Sequence, residues 1–356
     1  MDKVWLRHYP AGVPAELKTD VYPSLIALLE ESFRKYRDLP AYKFMGKTVT
    51  FGQVDDLSRV FAAYLQSLGL SRGDRVAVMM PNVPQYPVAV AGILRAGYVV
   101  VNVNPLYTPR ELEHQLKDSG AKAIVIAENF AATLQQVMNA VPTKKVVLAA
   151  MGDMLGFVKG LIVNHVVRNV KKMVPAFKLA GAVAFKEAIA QGRGKAYTAP
   201  QIGPDDIALL QYTGGTTGVS KGAVLLHRNL IANLLQAEAW YQPALKKIPP
   251  GEQIVTVCAL PLYHIFGFTT IMMLGLRMGG CSVLIPNARD FAALQGSPTL
   301  RVILLGGAFL AALNAAMVIT MQIGRVVYSA AREDFIPAGG SAPLRRVNPA
   351  TNTPIA

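Results

Sequence analysis

At 356 residues the chain is long for one compact domain, and at roughly 100–200 residues per domain it reads as two domains or one large domain with elaborations. Charged residues make up 16% and hydrophobic residues 52%, which excludes a disordered or low-complexity protein. Two cysteines, Cys258 and Cys281, outside any CxxC or Cys/His spacing, exclude a disulfide scaffold and a structural zinc site and read as buried thiols. The 36 Lys and Arg against 22 Asp and Glu leave a net charge of +14, which favours polyanions, anionic lipid surfaces and phosphorylated ligands as partners. No nucleic-acid-binding motif accompanies that charge, so nucleic acid is not expected as a partner.

The first ten residues hold no apolar h-region and no small-residue cleavage site, and read as neither a secretory signal nor a leading membrane anchor. From Asp74 an alternation begins: a short apolar strand over 75–80, a helix over 84–96 and a strand over 98–103. The next helix has explicit end signals, with Thr108 as N-cap, Pro109 in the first turn, Glu111 and Glu113 at the positive end, and Gly120 as the stop. A strand over 123–127, a helix over 131–141 and a strand over 145–149 continue the rhythm. The expected fold class is α/β, with layered, mostly parallel sheets flanked by helices.

Between Phe157 and Phe185 the texture changes. Lys159, Arg168, Lys171, Lys172, Lys178 and Lys186 are interleaved with apolar residues, a spacing that predicts a basic amphipathic helix. Such a helix can lie on an anionic membrane surface or cover the folded domain with its basic face in water, and periodicity alone leaves both open. A connector over 191–204 leads to a buried strand over 206–211.

That strand runs into Tyr212-Thr213-Gly214-Gly215-Thr216-Thr217-Gly218-Val219-Ser220-Lys221-Gly222, with four glycines, three threonines, one serine and one lysine. Glycines let backbone N–H groups turn inward as an anion nest, hydroxyls add donors, and a lysine sets a point charge against accumulated phosphate charge. The order Ser220-Lys221-Gly222 is not that of a Walker A loop, and no GxGxxG fingerprint is present in the run. The run resembles the signature loop of the adenylate-forming (AMP-binding) enzymes. With His227-Arg228-Asn229 after it, it is most similar to the bacterial long-chain fatty acid–CoA ligases. The stretches 74–82, 92–108 and Pro261-Leu262-Tyr263-His264-Ile265-Phe266-Gly267 resemble the same family in the same order, as does the basic segment.

The resemblance implies activation of a long-chain fatty acid by ATP to an acyl-adenylate, then transfer to coenzyme A, with Mg²⁺ accompanying the nucleotide. It assigns the run Tyr212 to Gly222 to the phosphates, with Lys221 also catalytic, and places His264 beside the carboxylate end of the acyl pocket. The apolar residues Phe266, Phe268, Met272, Met273 and Leu276 are then expected to line an acyl tunnel, while His227 is expected to be structural. It implies a cytoplasmic protein with peripheral contact at the inner face of the cell membrane. No metal ligand is assigned to a residue of this chain.

The resemblance covers a partial N-terminal domain, 1–290, followed by a divergent tail, 291–356, without the family's C-terminal lid domain. In that tail Gly306-Gly307-Ala308 resembles a family strand but arrives early, and the family's Tyr-Gly-x-Thr-Glu and Thr-Gly-Asp stretches are missing. Impaired or absent turnover is therefore expected, with a non-catalytic ATP- or acyl-binding protein at the membrane as the alternative. The stretch 302–324 carries no charged residue and, with about 20 apolar residues sufficient to span a bilayer, reads as a membrane span or as a buried helix and strand. The stretch 337–356 reads as disordered.

Overall fold

The computed structural model describes residues 4–213, 219–249 and 251–287, with two short strands near the C-terminus. Two compact units divide the chain, Met1–Ala288 and Arg289–Ala356. After a 3-10 turn (Val4–His8), the first contains α1 (Leu25–Lys35), the hairpin β1 (Pro40–Phe44) and β2 (Lys47–Thr50), and α2 (Phe51–Gln66). The alternation follows: β3 (Arg75–Met79), α3 (Gln85–Arg95), β4 (Val99–Asn102), α4 (Pro109–Ser119), β5 (Ala123–Ala127), α5 (Ala131–Val137) and β6 (Lys145–Ala149). Then come α6 (Phe157–His165), continued by a π turn (Val166–Val170), β7 (Val183–Ala184), α7 (Phe185–Arg193), β8 (Ile207–Thr213), β9 (Lys221–Leu226) and α8 (His227–Leu245). The unit ends with β10 (Val255–Cys258), a π turn (Gly267–Met273), α9 (Leu274–Arg277) and β11 (Cys281–Leu284).

Seven strands form one sheet in the order β7-β6-β5-β3-β4-β8-β9, parallel except for β9, which turns back against β8. Its central strands are apolar on both faces because both are covered. Val76, Val78, Val100 and Val125 join the main core with α1, α2 and α3, whereas Ala77, Met79, Val101 and Ile124 pack with Leu112 and Leu116 of α4 and Leu134 of α5. A second sheet, β10-β11-β1-β2, brings β1 beside β11 in parallel and closes with the antiparallel β1–β2 pair.

The end signals of α4 act as expected. Thr108 Oγ1 accepts from the Glu111 N–H, the Glu111 carboxylate accepts from the Thr108 N–H, and Gly120 takes the left-handed conformation at φ +64°. Three expectations need correction. The helix expected over 131–141 stops at Val137, ahead of Pro142. The strand expected to end at residue 211 continues to Thr213 because its pairing with β9 extends it. The basic segment is helical only through Val170: Lys172 sits at φ +49° and Val174 precedes Pro175, which disfavours helix there.

In the second unit, Val347–Asn348 (β12) pairs antiparallel with Thr353–Pro354 (β13). This pair lies within the stretch composition reads as disordered; the β-branched Val347 and Thr353 suit extended backbone. The expected apolar run 302–324 lies outside the described residues. Among those that are described, no helix is long and apolar enough to cross a membrane.

Candidate functional site

The phosphate-loop candidate is the tip of the β8–β9 hairpin. The register pairs Gln211 with Ala223, Tyr212 with Gly222 and Thr213 with Lys221, so Thr213 and Lys221 form the two gateposts of the tip. Gly214, Gly215, Thr216, Thr217 and Gly218 lie outside the described residues. Val219 is exposed, and the exposed Lys221 has no ion-pair partner among the described residues. A lysine left in water at a loop mouth is available to an anion, which a lysine committed to a carboxylate is not.

The hairpin base is clamped by α4. The Tyr212 hydroxyl donates to Asp118 Oδ2 at 2.5 Å, and burial together with that bond holds the phenol well above its ordinary pKa, so it stays a donor. Gly222 lies flat on the same ring: a Cβ there would meet Tyr212 Cε2 and Cζ at 2.9 Å, so only glycine fits. Ser220 is held twice, its carbonyl 3.0 Å from His114 Nε2 and its hydroxyl hydrogen-bonded to Tyr107. A carbonyl only accepts, so His114 carries its proton on Nε2. The turn before α4 and the helix itself thus anchor both ends of the loop.

A buried amide network ties this hairpin to the 261–267 loop. Gln211 Nε2 donates to the Tyr263 carbonyl at 3.1 Å, and Gln211 Oε1 accepts from Asn102 Nδ2 at 3.1 Å. The Tyr86 hydroxyl lies 2.6 Å from Asn102 Oδ1 and 2.9 Å from the Leu262 carbonyl. Asn82 donates to the carbonyls of Cys258 and Leu260 and accepts from the Leu262 N–H, each at 2.9 Å. Gln211 precedes Tyr212 and Tyr263 precedes His264, so one hydrogen bond joins the neighbours of two candidate residues. Gly267 folds back so closely on the Pro261 carbonyl that no Cβ fits.

His264 is exposed, and its Nδ1 accepts the Phe266 N–H at 3.3 Å, which places the proton of the neutral ring on Nε2. Of the apolar residues after it, Phe268, Met272, Met273 and Leu276 are buried in the main core and Phe266 is exposed. His227, by contrast, opens α8 at 2% exposure, with Nδ1 accepting the Leu25 N–H at 3.0 Å. Burial lowers its pKa to about 4 against the weaker opposing pull of Asp206, so it is a neutral structural link between the N-termini of α1 and α8. Cys258 and Cys281 are free and buried.

Among the described residues, no three His, Cys, Asp or Glu side chains converge to hold a metal ion. Magnesium is ordinarily held by one or two carboxylates together with substrate phosphates and water, and no carboxylate among the described residues is assigned to it. The site residues that sequence reading passes over are Asn82, Tyr86, Asn102, His114 and Asp118, together with Gln211 as a link. A signal did exist for some: Asn102 and Gln211 interrupt otherwise apolar strands, and an amide in a buried strand needs partners.

Residues 29–308 match the family model described as AMP-binding enzyme. A long-chain-fatty-acid–CoA ligase from Escherichia coli O6:H1 is 54% identical over 295 residues, 83% of this chain and 52% of that protein. The enzyme of that name from Haemophilus influenzae is 49% identical over 294 residues, 82% of this chain and 51% of that protein. The chain thus spans about half the length of the curated relatives it matches. Among solved structures, a long-chain-fatty-acid–CoA ligase from Archaeoglobus fulgidus superposes with a TM-score of 0.60 at 23% identity, covering 78% of this chain and 50% of that one. An anthranilate CoA ligase in complex with anthranoyl-AMP gives a TM-score of 0.62 at 21% identity, over 78% of this chain and 48% of the other. At these identities the structures share a fold.

Proposed function

The chain belongs to the AMP-binding enzymes, and from that premise we propose that it carries the phosphate-gripping and acyl-facing parts of a long-chain fatty acid–CoA ligase. In the first step a carboxylate oxygen of the fatty acid attacks the α-phosphorus of ATP; the bond to the bridging oxygen of the β-phosphate breaks and pyrophosphate leaves. In the second, the thiol sulfur of coenzyme A attacks the acyl carbonyl, loses its proton, and AMP departs. The carboxylate needs AMP because its own oxygen is a poor leaving group. Such transfers need alignment and charge neutralisation more than covalent work from the protein.

Lys221 sets its charge against the β- and γ-phosphates, with the hydroxyls of Thr213 and Ser220 beside it and the run Tyr212 to Gly222 as the cradle. His264 presents an N–H toward the acyl carboxylate. The observation that carries the reading is the Gln211–Tyr263 hydrogen bond, which fixes the phosphate hairpin against the loop that bears His264. Magnesium would enter as the counter-ion of the nucleotide. We further assign the protein a peripheral contact with anionic membrane, where its acyl substrate partitions.

The test is ATP titration of the wild-type protein and Lys221→Ala, followed by fatty-acid-dependent ATP–pyrophosphate exchange on both. Lys221 is exposed, so the variant keeps its fold by circular dichroism. ATP affinity is expected to fall about 10- to 100-fold, the loss of one charge-assisted contact. Equal affinity in two folded proteins would overturn the assignment of the loop. Exchange that depends on fatty acid supports the ligase, whereas saturable ATP binding without exchange selects the non-catalytic nucleotide-binding alternative.

A further inference from the structure

The helix α6 leaves a set of large apolar side chains in water, unlike an ordinary surface helix. A helix on a globular protein normally turns its apolar stripe inward and its polar face to water. Here the inward face is Gly160, Val163, Asn164 and Val167, while Phe157, Val158, Leu161 and Ile162 are 80%, 67%, 54% and 58% exposed. The mounting is specific. A Cβ on Gly160 would meet the Gly152 carbonyl oxygen at 2.5 Å, and Asn164 Oδ1 accepts the Gly152 N–H at 2.7 Å. Two glycines in backbone contact and one amide fix this side of the helix against the protein, and the apolar residues of the opposite side face out. Lys159 reaches back to the Met45 carbonyl, which ties the same helix to the β1–β2 turn.

Charge adds a second, independent observation. The stretch 154–186 contains Lys159, Arg168, Lys171, Lys172, Lys178 and Lys186 and no Asp or Glu. Glu128 neutralises Arg168 and Asp153 lies 3.8 Å from Lys186, but Lys171, Lys172 and Lys178 are exposed without ion-pair partners among the described residues. Val170 and Met173 are also exposed beside these lysines. Exposed apolar side chains bordered by unpaired lysines match one kind of surface, the interface of an anionic bilayer, where hydrocarbon lies beneath negative headgroups.

We propose that α6 is the membrane-docking element. Phe157, Val158, Leu161 and Ile162 enter the headgroup–acyl boundary, and Lys171, Lys172 and Lys178 engage anionic headgroups. This rests on the peripheral membrane contact assigned above and names its surface. A second copy of the chain is a poorer occupant, since a symmetric contact would bring the same unpaired lysines together. Nucleic acid would use the charge and leave the apolar residues unexplained.

The experiment is co-sedimentation with vesicles of phosphatidylcholine alone and of phosphatidylcholine with phosphatidylglycerol, for wild type, Leu161→Glu/Ile162→Glu and Lys171→Glu/Lys172→Glu. Leu161→Trp serves as an insertion probe. Wild type is expected to partition onto the anionic vesicles, and Leu161→Trp emission to shift to the blue only with them. Each lysine near such a surface strengthens partitioning by about fivefold, so the double lysine variant should bind at least about 30-fold more weakly. The double glutamate variant should lose binding by a similar factor.

Variants that sediment like wild type, or an unshifted Leu161→Trp on vesicles that bind the protein, would overturn the proposal. So would equal binding to neutral vesicles, or lipid-free self-association abolished by Leu161→Glu/Ile162→Glu. DNA binding lost only in the lysine variant, without vesicle binding, would do the same. All substituted side chains are exposed, and ATP titration on the same samples shows whether the nucleotide site is intact, so failure here is separable from failure of the ligase reading.

Discussion

Replacing Asn82 by alanine removes the staple between the two sheets of the larger unit. Asn82 follows β3 of the seven-stranded sheet, and its three partners, Cys258, Leu260 and Leu262, follow or end β10 of the four-stranded one. The three bonds are unequal in what they leave behind. The Cys258 carbonyl keeps a second donor, the Ile285 N–H at 3.1 Å, and the Leu260 carbonyl belongs to an exposed residue and keeps the Cys258 thiol at 3.6 Å. The Leu262 N–H is buried and is left without its acceptor, at a cost of about 2 kcal/mol, and the other two lost bonds add about 1 kcal/mol together. Asn82→Ala should therefore destabilise the protein by about 3 kcal/mol. With a urea m-value of about 3 kcal/mol/M for a unit of this size, the unfolding midpoint by circular dichroism should fall by about 1 M. Asn82→Asp, nearly identical in volume, should be worse than alanine, because it turns an acceptor and a buried charge toward two carbonyls. A loss below about 1 kcal/mol in the alanine variant, or an aspartate variant as stable as wild type, would refute the staple.

Gly222→Ala should lower stability by about 1–3 kcal/mol, because the new methyl meets a Tyr212 ring that Asp118 prevents from swinging aside; an unchanged melting temperature would contradict this. His227 contributes a pH dependence with a definite sign. Its pKa is lowered from 6.5 to about 4 in the fold, so the unfolded chain binds the proton more readily, and the stabilisation is complete above pH 6.5 and lost as pH falls toward 4. The full effect is about 3 kcal/mol, and His227→Gln should flatten the urea midpoint between pH 7 and pH 4.5. Burial pushes the Cys258 thiol up to about 12 and raises that of Cys281, so neither should react with a thiol reagent at pH 8 until the protein is unfolded. Fast labelling of the native protein would count against that packing.

Much of the fold was legible because it is written locally. The strands around residues 75–79, 99–102, 123–127 and 145–149 are continuous apolar runs, and Thr108, Pro109, Glu111 and Gly120 supply both ends of α4 within thirteen residues. The loop after β8 was equally visible, since an ordered set of glycines, hydroxyls and a lysine has a direct use at a polyphosphate. The supports of that loop were not. His114 and Asp118 sit on what reads as the polar face of an ordinary amphipathic helix, and nothing in their neighbourhood indicates that Ser220 and Tyr212 will arrive there.

The sequence by itself therefore determined the α/β class, the family and the glycine- and hydroxyl-rich loop, because each rests on residues adjacent in the chain and on periodicities of two and 3.6, whereas the returning strand β9 that makes the loop a hairpin tip came from the structure. Tertiary structure alone decided which groups meet across long separations: Leu25 with His227, Asn82 with Leu262, and Gln211 with Tyr263. It also decided which side of α6 faces the protein. Periodicity shows which residues share a helix face and not what covers it; here a contact between Gly152 and Gly160 draws in the side that carries Gly160 and Asn164 and leaves Phe157, Val158, Leu161 and Ile162 to the exterior.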